Sequence, residues 1–186
     1  MVLDSKQKSM GNILKRKIEI QERNREEVLA EVTQNGWALC HAPEELRADR
    51  EIVLAAVTQN GRAFCFATEE LKADREVVLV AVTQCGGALL YAAKALMADR
   101  NIVLAAVTQD GSAFCFVTKE LKADREIILA ALSAHNLEQE SAIYELIPMK
   151  LWGDEEITLR LIEIYGDGLP LTFLFYFIQN LLNPIG

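Results

Sequence analysis

At 186 residues, with 51% apolar and 25% charged side chains, the chain has the composition of one folded globular unit and little room for a second core. Its formal net charge of −8 disfavours a nucleic-acid partner, because phosphate binding needs a basic stripe, and Lys15-Arg16-Lys17 with Lys6 and Lys8 is too little for one. The polar first ten residues lack the apolar core of a signal peptide, so folding in a cytosol is expected.

Residues 1–23 read as a charged leading helix. From there one unit is rewritten every 25 residues, starting at Asn24-Arg25, Asp49-Arg50, Asp74-Arg75, Asp99-Arg100 and Asp124-Arg125. Twelve residues after each start stand Gly36, Gly61, Gly86 and Gly111, with Asn136 in the fifth copy. Asp or Asn before an apolar run is an N-cap, and Gly or Asn after it supplies a left-handed C-terminal residue. The two marks bracket a helix of about eleven residues, or about 16 Å. A strand is the rival reading of Ile52 to Val57; the caps, the paired alanines and Glu51 in the first turn decide for helix. After the glycine, Arg62 to Ala67 predicts a second, shorter helix, which must stop where Pro43 stands in the first copy. A single Glu-Glu-Leu turn then leads to the next cap.

Residues 137–153 are about five longer than the pattern requires and contain Pro148, which makes them the one irregular joint. A degenerate sixth copy starts at Asp154 and reaches Gly166 on the same ruler. The tail after it carries no charge from Leu169 to Gly186, and Leu171 to Ile178 is the most apolar run in the chain. A transmembrane helix needs about 20 mainly apolar residues, whereas Pro170, Gln179, Asn180, Asn183 and Pro184 interrupt this stretch. It is expected to be a buried cap, with a partner or dimer contact and a membrane contact as the alternatives. The chain is therefore read as a single all-α domain, an α-solenoid of about six short helix pairs capped at both ends. Its parts are a leading segment 1–23, regular repeats 24–136, the joint 137–153, and a final copy with its cap over 154–186.

The third, seventh and eleventh residues after each cap share a helix face. They are Ile52, Ala56 and Asn60 in the second copy but Glu27, Glu31 and Asn35 in the first, so this face packs on the preceding repeat and in the first copy has none to meet. In the last copy Ile157, Leu161 and Tyr165 keep it apolar while Glu156, Arg160 and Glu163 mark the opposite face as solvated. The array has a direction and two different ends.

The second helix carries the informative variation. Just after the glycine come Trp37, Arg62, Gly87 and Ser112, all different, followed by an alanine that never changes. Four positions on stand His41, Phe66, Tyr91 and Phe116, one helical turn away on the same face. Stacking lines these into a ridge of the kind on which solenoids bind peptides or helices. Rings at fixed repeat positions also serve as core, so Trp37 and Arg62 are stronger candidates than Phe66 and Phe116.

Little else suggests chemistry. His41 and His135 have no Cys or carboxylate at metal-ligand spacing, and no cofactor is expected. The Glu44-Glu45 and Glu69-Glu70 pairs decay to Lys94-Ala95, which reads as a solvated edge rather than an acid–base pair. Cys40, Cys65 and Cys115 share one repeat position, and stacked helices about 8–10 Å apart hold Cα atoms beyond the roughly 4.4–6.8 Å that a disulfide spans. They are expected to be reduced, half-buried fillers. The recurring Thr-Gln pairs, such as Thr58-Gln59, suit a side-chain ladder, and the Arg of each Asp-Arg pair suits an ion pair with the acidic turn of the adjacent copy.

The unit Asp-Arg-Glu-x-Val-Leu-x-Ala-Val-Thr-Gln-x-Gly-x-Ala resembles a helical-repeat family known only as a domain of unknown function, strongly from Asn24 to Leu132 and weakly from Asp154 to Gly166. That family occurs in tandem arrays, including secreted effectors of intracellular bacteria and proteins of protists and large viruses. The resemblance implies an α-helical array and an effector context; it implies no activity and no catalytic residues. The expected function is a non-catalytic interaction module for a protein partner, using Trp37, His41, Arg62, Phe66, Tyr91 and Phe116. The alternatives are an effector enzyme, with the joint around Glu138, Glu140, Tyr144 and Trp152 as its site, and an array that self-associates through its apolar tail.

Overall fold

The computed structural model describes residues 24–134 and 143–169 together with Phe173. The basic leading cluster, His135, Glu138, Glu140 and the rest of the apolar tail lie outside the described residues. Among those described there is no strand, and six long helices recur: 24–34, Arg50–Gln59, Arg75–Gln84, Arg100–Gln109, Arg125–Ser133 and Glu155–Tyr165. Each of the last five starts on an aspartate. Asp49 Oδ1 accepts from the Glu51 and Ile52 amides at 2.9 and 3.2 Å, satisfying donors that a helix start leaves open. Asp74, Asp99 and Asp124 repeat the arrangement, and Asp154 takes the Ile157 amide at 3.1 Å.

The helix ends differ from expectation in an instructive way. Asn60 is extended at φ −151° and does two jobs: its amide closes on the Ala56 carbonyl at 2.8 Å, and its side chain accepts from the Arg62 amide at 3.1 Å. Gly61 begins the next helix instead of ending the last, and among the described residues only Gly166 has a positive φ, 49°. The recurring glycines serve close approach. A Cβ at Gly36 or Gly86 would lie 2.4 Å from the carbonyl oxygen of Ala56 or Ala106, in the long helix of the next unit. The Gly36 amide donates to Gln59 Oε1 at 2.6 Å, and Gly86 repeats this with Gln109. The expected Thr-Gln ladder is thus half present: glutamine ties units together, while Thr33 and Thr83 donate back to carbonyls of their own helices.

The second helix is a six-residue 3-10 helix in each of the first four copies: Gly36–His41, Gly61–Phe66, Gly86–Tyr91 and Gly111–Phe116. The second, third and fourth long helices each pack on their long neighbours and on the 3-10 helices of their own and the preceding unit. Two adjacent stripes disappear from solvent, Ile52 with Ala56 and Val53 with Val57, and the same positions are buried through Leu132. Burying a Val or Ile contributes about 1.5–3 kcal/mol, so these stripes dominate stability. In the first copy Glu27 and Glu31 are exposed on that face.

An arginine ladder runs along the stack. Arg25, Arg50, Arg75, Arg100 and Arg125 each place Nε on the aspartate that caps the next helix, at 2.7–3.1 Å. Four of them also reach the glutamate two residues beyond it; Arg75 meets Asn101 at that place and keeps one rung. Arg125 reaches Asp154 across 29 residues where the other rungs span 24, so the ladder passes the joint unbroken. Counted back from Asp154, Pro148 occupies the place of Pro43, and the 3-10 helix Ile143–Leu146 precedes it as Gly36–His41 precedes Pro43. The five extra residues therefore fall between Ala134 and Ile143, outside the described residues, and Pro148 belongs to the regular pattern.

The ladder predicts a pH dependence. The Arg50, Arg100 and Arg125 guanidiniums hold Asp74, Asp124 and Asp154 below the ordinary 3.8. At Asp49 and Asp99 burial pushes the other way, but the arginine and the helix amides outweigh it. Because the folded values lie below the unfolded ones, this stabilisation is complete above about pH 4 and lost as pH falls through the folded values. The melting temperature should hold from neutrality to about pH 5 and fall steeply below 4, with the acid limb shallower in Asp124→Asn, which keeps an oxygen for the cap. Identical acid limbs in the two proteins would refute the assignment.

Candidate functional site

A 3-10 helix has three residues per turn, so positions three apart stack on one face and positions four apart do not. Arg62 consequently stands over Cys65, and Leu90 fills the place under Gly87, which offers no side chain. These four residues, with Trp37 from the first unit and Ser112 from the fourth, border one groove of about 340 Å³ across four successive units. Tyr91 and Phe116 close its sides, and Asp110 lies at the far end beside Ser112.

Of the six residues singled out in the sequence, the structure brings Trp37, Arg62, Tyr91 and Phe116 to this groove. Phe66 packs edge-on against Trp37 with ring centroids 5.4 Å apart, joining the first two units beneath the rim. His41 is exposed but not among the lining residues, although Tyr91 and Phe116 at the same repeat position are. The core role that rings at fixed positions could have served belongs to the neighbouring position, where Phe64 and Phe114 are completely buried. Phe66 and Phe116 are half-buried and lean on that core. Leu90, 48% exposed, and Cys85 are lining residues that the ridge pattern missed; the available signal was the third copy's departure from the Cys40, Cys65, Cys115 series.

Leu90 at 48%, Trp37 at 44% and Tyr91 at 43% exposure give the groove its apolar surface, and its charges are Arg62 in the second unit and Asp110 in the fourth. The Arg62 guanidinium has no ion-pair partner among the described residues, unlike the five arginines of the ladder. Asp110 Oδ1 is engaged by the Ser112 amide and hydroxyl at 2.9 and 2.7 Å. Burial pushes the Cys65 thiol above its ordinary 9.0, so at neutral pH it is a protonated wall rather than a nucleophile. All four cysteines are free, and Cys115 is exposed rather than half-buried.

Two other places have less to offer. A shallower depression of about 550 Å³ over the last long helix is lined by charges that already pair with one another, Arg125 with Asp154 and Glu156, and Arg160 with Glu163. At the joint, Tyr144 packs edge-on against Tyr165 at 5.2 Å, and buried Trp152 lies 5.2 Å from buried Phe173. These are packing contacts. Among the described residues no group of three or more His, Cys, Asp or Glu is placed to hold a metal ion, and no helix is long and apolar enough to cross a membrane.

The rungs and glycine contacts are the signature of the repeat, and they coincide with a known family. The family described as "Domain of unknown function (DUF4116)" matches residues 24–72, 49–97, 74–122 and 99–138. The chain belongs to this family. Together the matches cover residues 24–138 of 186. Each DUF4116 match takes in about two copies, and the next begins one copy later, which fits a unit whose arginine, glycine and glutamine contacts all reach into its neighbour. No curated protein and no solved structure matches the chain.

Proposed function

We propose that the array is a non-catalytic protein-interaction module whose contact surface is the groove across the 3-10 helices. One observation carries this reading: a single groove crosses four units at the positions where the copies differ, Trp37, Arg62, Gly87 and Ser112, while the contacts that stack the units stay constant. Stacking alone gives no reason for that difference. Variation on an open, largely apolar surface is what recognition of a particular partner requires. The module works in a cytosol, which is the host's if the protein acts as a secreted effector in the manner the sequence resemblance implies. An enzymatic reading draws no comparable support, since the groove's Cys65 is held protonated and His41 stands outside the lining.

The test is the double variant Trp37→Ala, Arg62→Ala. Arg62 is exposed, and Trp37 gives up its edge-on contact with Phe66, a loss of about 0.5–1.5 kcal/mol beyond the ring's buried area. Circular dichroism is expected to match the parent with a melting temperature a few degrees lower, well above the temperature of the assay, while partners captured by the parent in a pull-down from its native setting are lost. Retention of every captured partner would remove the groove from consideration.

A further inference from the structure

The groove has a polarity that the interaction reading does not use. Arg62, in the second unit, is a cation without an ion-pair partner among the described residues. Asp110, which caps the 3-10 helix of the fourth unit, presents a carboxylate engaged by neutral donors of Ser112 alone. Between them the third unit has Gly87 where the others have Trp37, Arg62 and Ser112. A Cβ built there would meet only Cys85 Sγ, at 3.9 Å, so the position opens into the groove. Leu90 and Tyr91 wall that opening with apolar surface. The order along the array is therefore cation, apolar hole, anion.

Stacked helices repeat at about 8–10 Å, and an extended chain in the polyproline II form rises about 3.1 Å per residue with three residues per turn, so one unit of the array corresponds to one turn and every third side chain of a peptide laid along it faces the groove. Resting on the interaction reading above, we propose that the groove takes an extended peptide segment bearing an acidic residue, an aliphatic or aromatic residue three positions away, and a basic residue three positions beyond that. The acid pairs with Arg62 in a charge-assisted hydrogen bond, the apolar side chain enters the hole at Gly87, and the base faces Asp110. The hole sets the specificity. A peptide without the apolar anchor gains only two solvent-exposed ion pairs, which contribute little.

The experiment is selection of a random heptapeptide phage library on the immobilised full chain, repeated on Arg62→Glu and Gly87→Trp. A Cβ at Gly87 meets only a sulfur at van der Waals distance, so the side chain leaves the backbone toward the groove rather than into the stack, and melting curves verify both folds. The parent is expected to enrich an acid at spacing three from Leu, Phe or Ile, and Arg62→Glu to replace that acid with Lys or Arg. Gly87→Trp should lose the apolar anchor, with at least a tenfold drop in recovery of the parent's peptides. Enrichment that ignores Arg62→Glu, or that survives Gly87→Trp, would overturn the proposal, and so would no enrichment on the parent. In each case the pull-down with the double variant separately decides whether the groove binds a protein at all.

Discussion

Gly86→Ala should unfold the array several degrees earlier than the parent, and Gly87→Ala, one residue away, should not. At Gly86 the added Cβ would lie 2.4 Å from the Ala106 carbonyl oxygen and 2.8 Å from Asp110 Cβ, both belonging to the neighbouring unit. Backbone cannot swing aside as a side-chain tip can, so the units must separate, at the cost of the Gly86 amide bond to Gln109. Overpacking of this kind costs about 1–3 kcal/mol, and the lost bond places the effect toward the upper end. For a chain of this length that is about 4–10 °C in melting temperature. At Gly87 the Cβ meets only a sulfur at 3.9 Å and the backbone suits an L-residue, so alanine trims the freedom of the unfolded chain at no cost to the folded one. A neutral to slightly raised melting point is expected there, by up to about 1 kcal/mol. Equal melting temperatures for the two variants would show that the glycines do not mark close approach.

Phe114→Ala is expected to cost about 3–5 kcal/mol, among the largest single losses in the array, because the ring is completely buried under the fourth and fifth long helices. Phe116→Ala, two residues on and half-buried, should cost less than half as much. A solenoid's stability is close to a sum of units and nearest-neighbour contacts, so the damage should stay local. Hydrogen exchange is expected to show faster amides in Arg100–Gln109 and Arg125–Ser133 than in the parent, with Arg50–Gln59 keeping its protection. Uniform loss along the chain would mean that the array melts as one block.

The parts of this fold written in sequence are those fixed by local chemistry. An aspartate before an apolar run can only cap, and a period of 25 residues with a constant Arg can only be satisfied by stacking, so the helices and the rungs from Arg25 to Asp49 onward were legible. Gly61 was legible as a marker and not as a mechanism: a glycine may be needed for a left-handed φ or for a neighbour's approach, and only the position of the Ala81 carbonyl, 2.8 Å from its would-be Cβ, decides between them. The pitch of a six-residue apolar helix is equally silent in sequence. That is why Leu90, three residues after Gly87 and so on its face, was missing from the ridge. Comparison among copies found Trp37 and Arg62 because variation at one place against constancy elsewhere needs no pitch to be noticed.

Among the described residues the arginine ladder ends at Arg125, because position 155, where a further arginine would reach forward from the Asp154 helix, holds Glu155. Every internal junction from Arg25 onward sets guanidinium against carboxylate at one fixed place, so the ladder works as a ruler: a unit that slid along its neighbour by one helical turn would lose its rung, and the groove on the 3-10 helices inherits its spacing from that register.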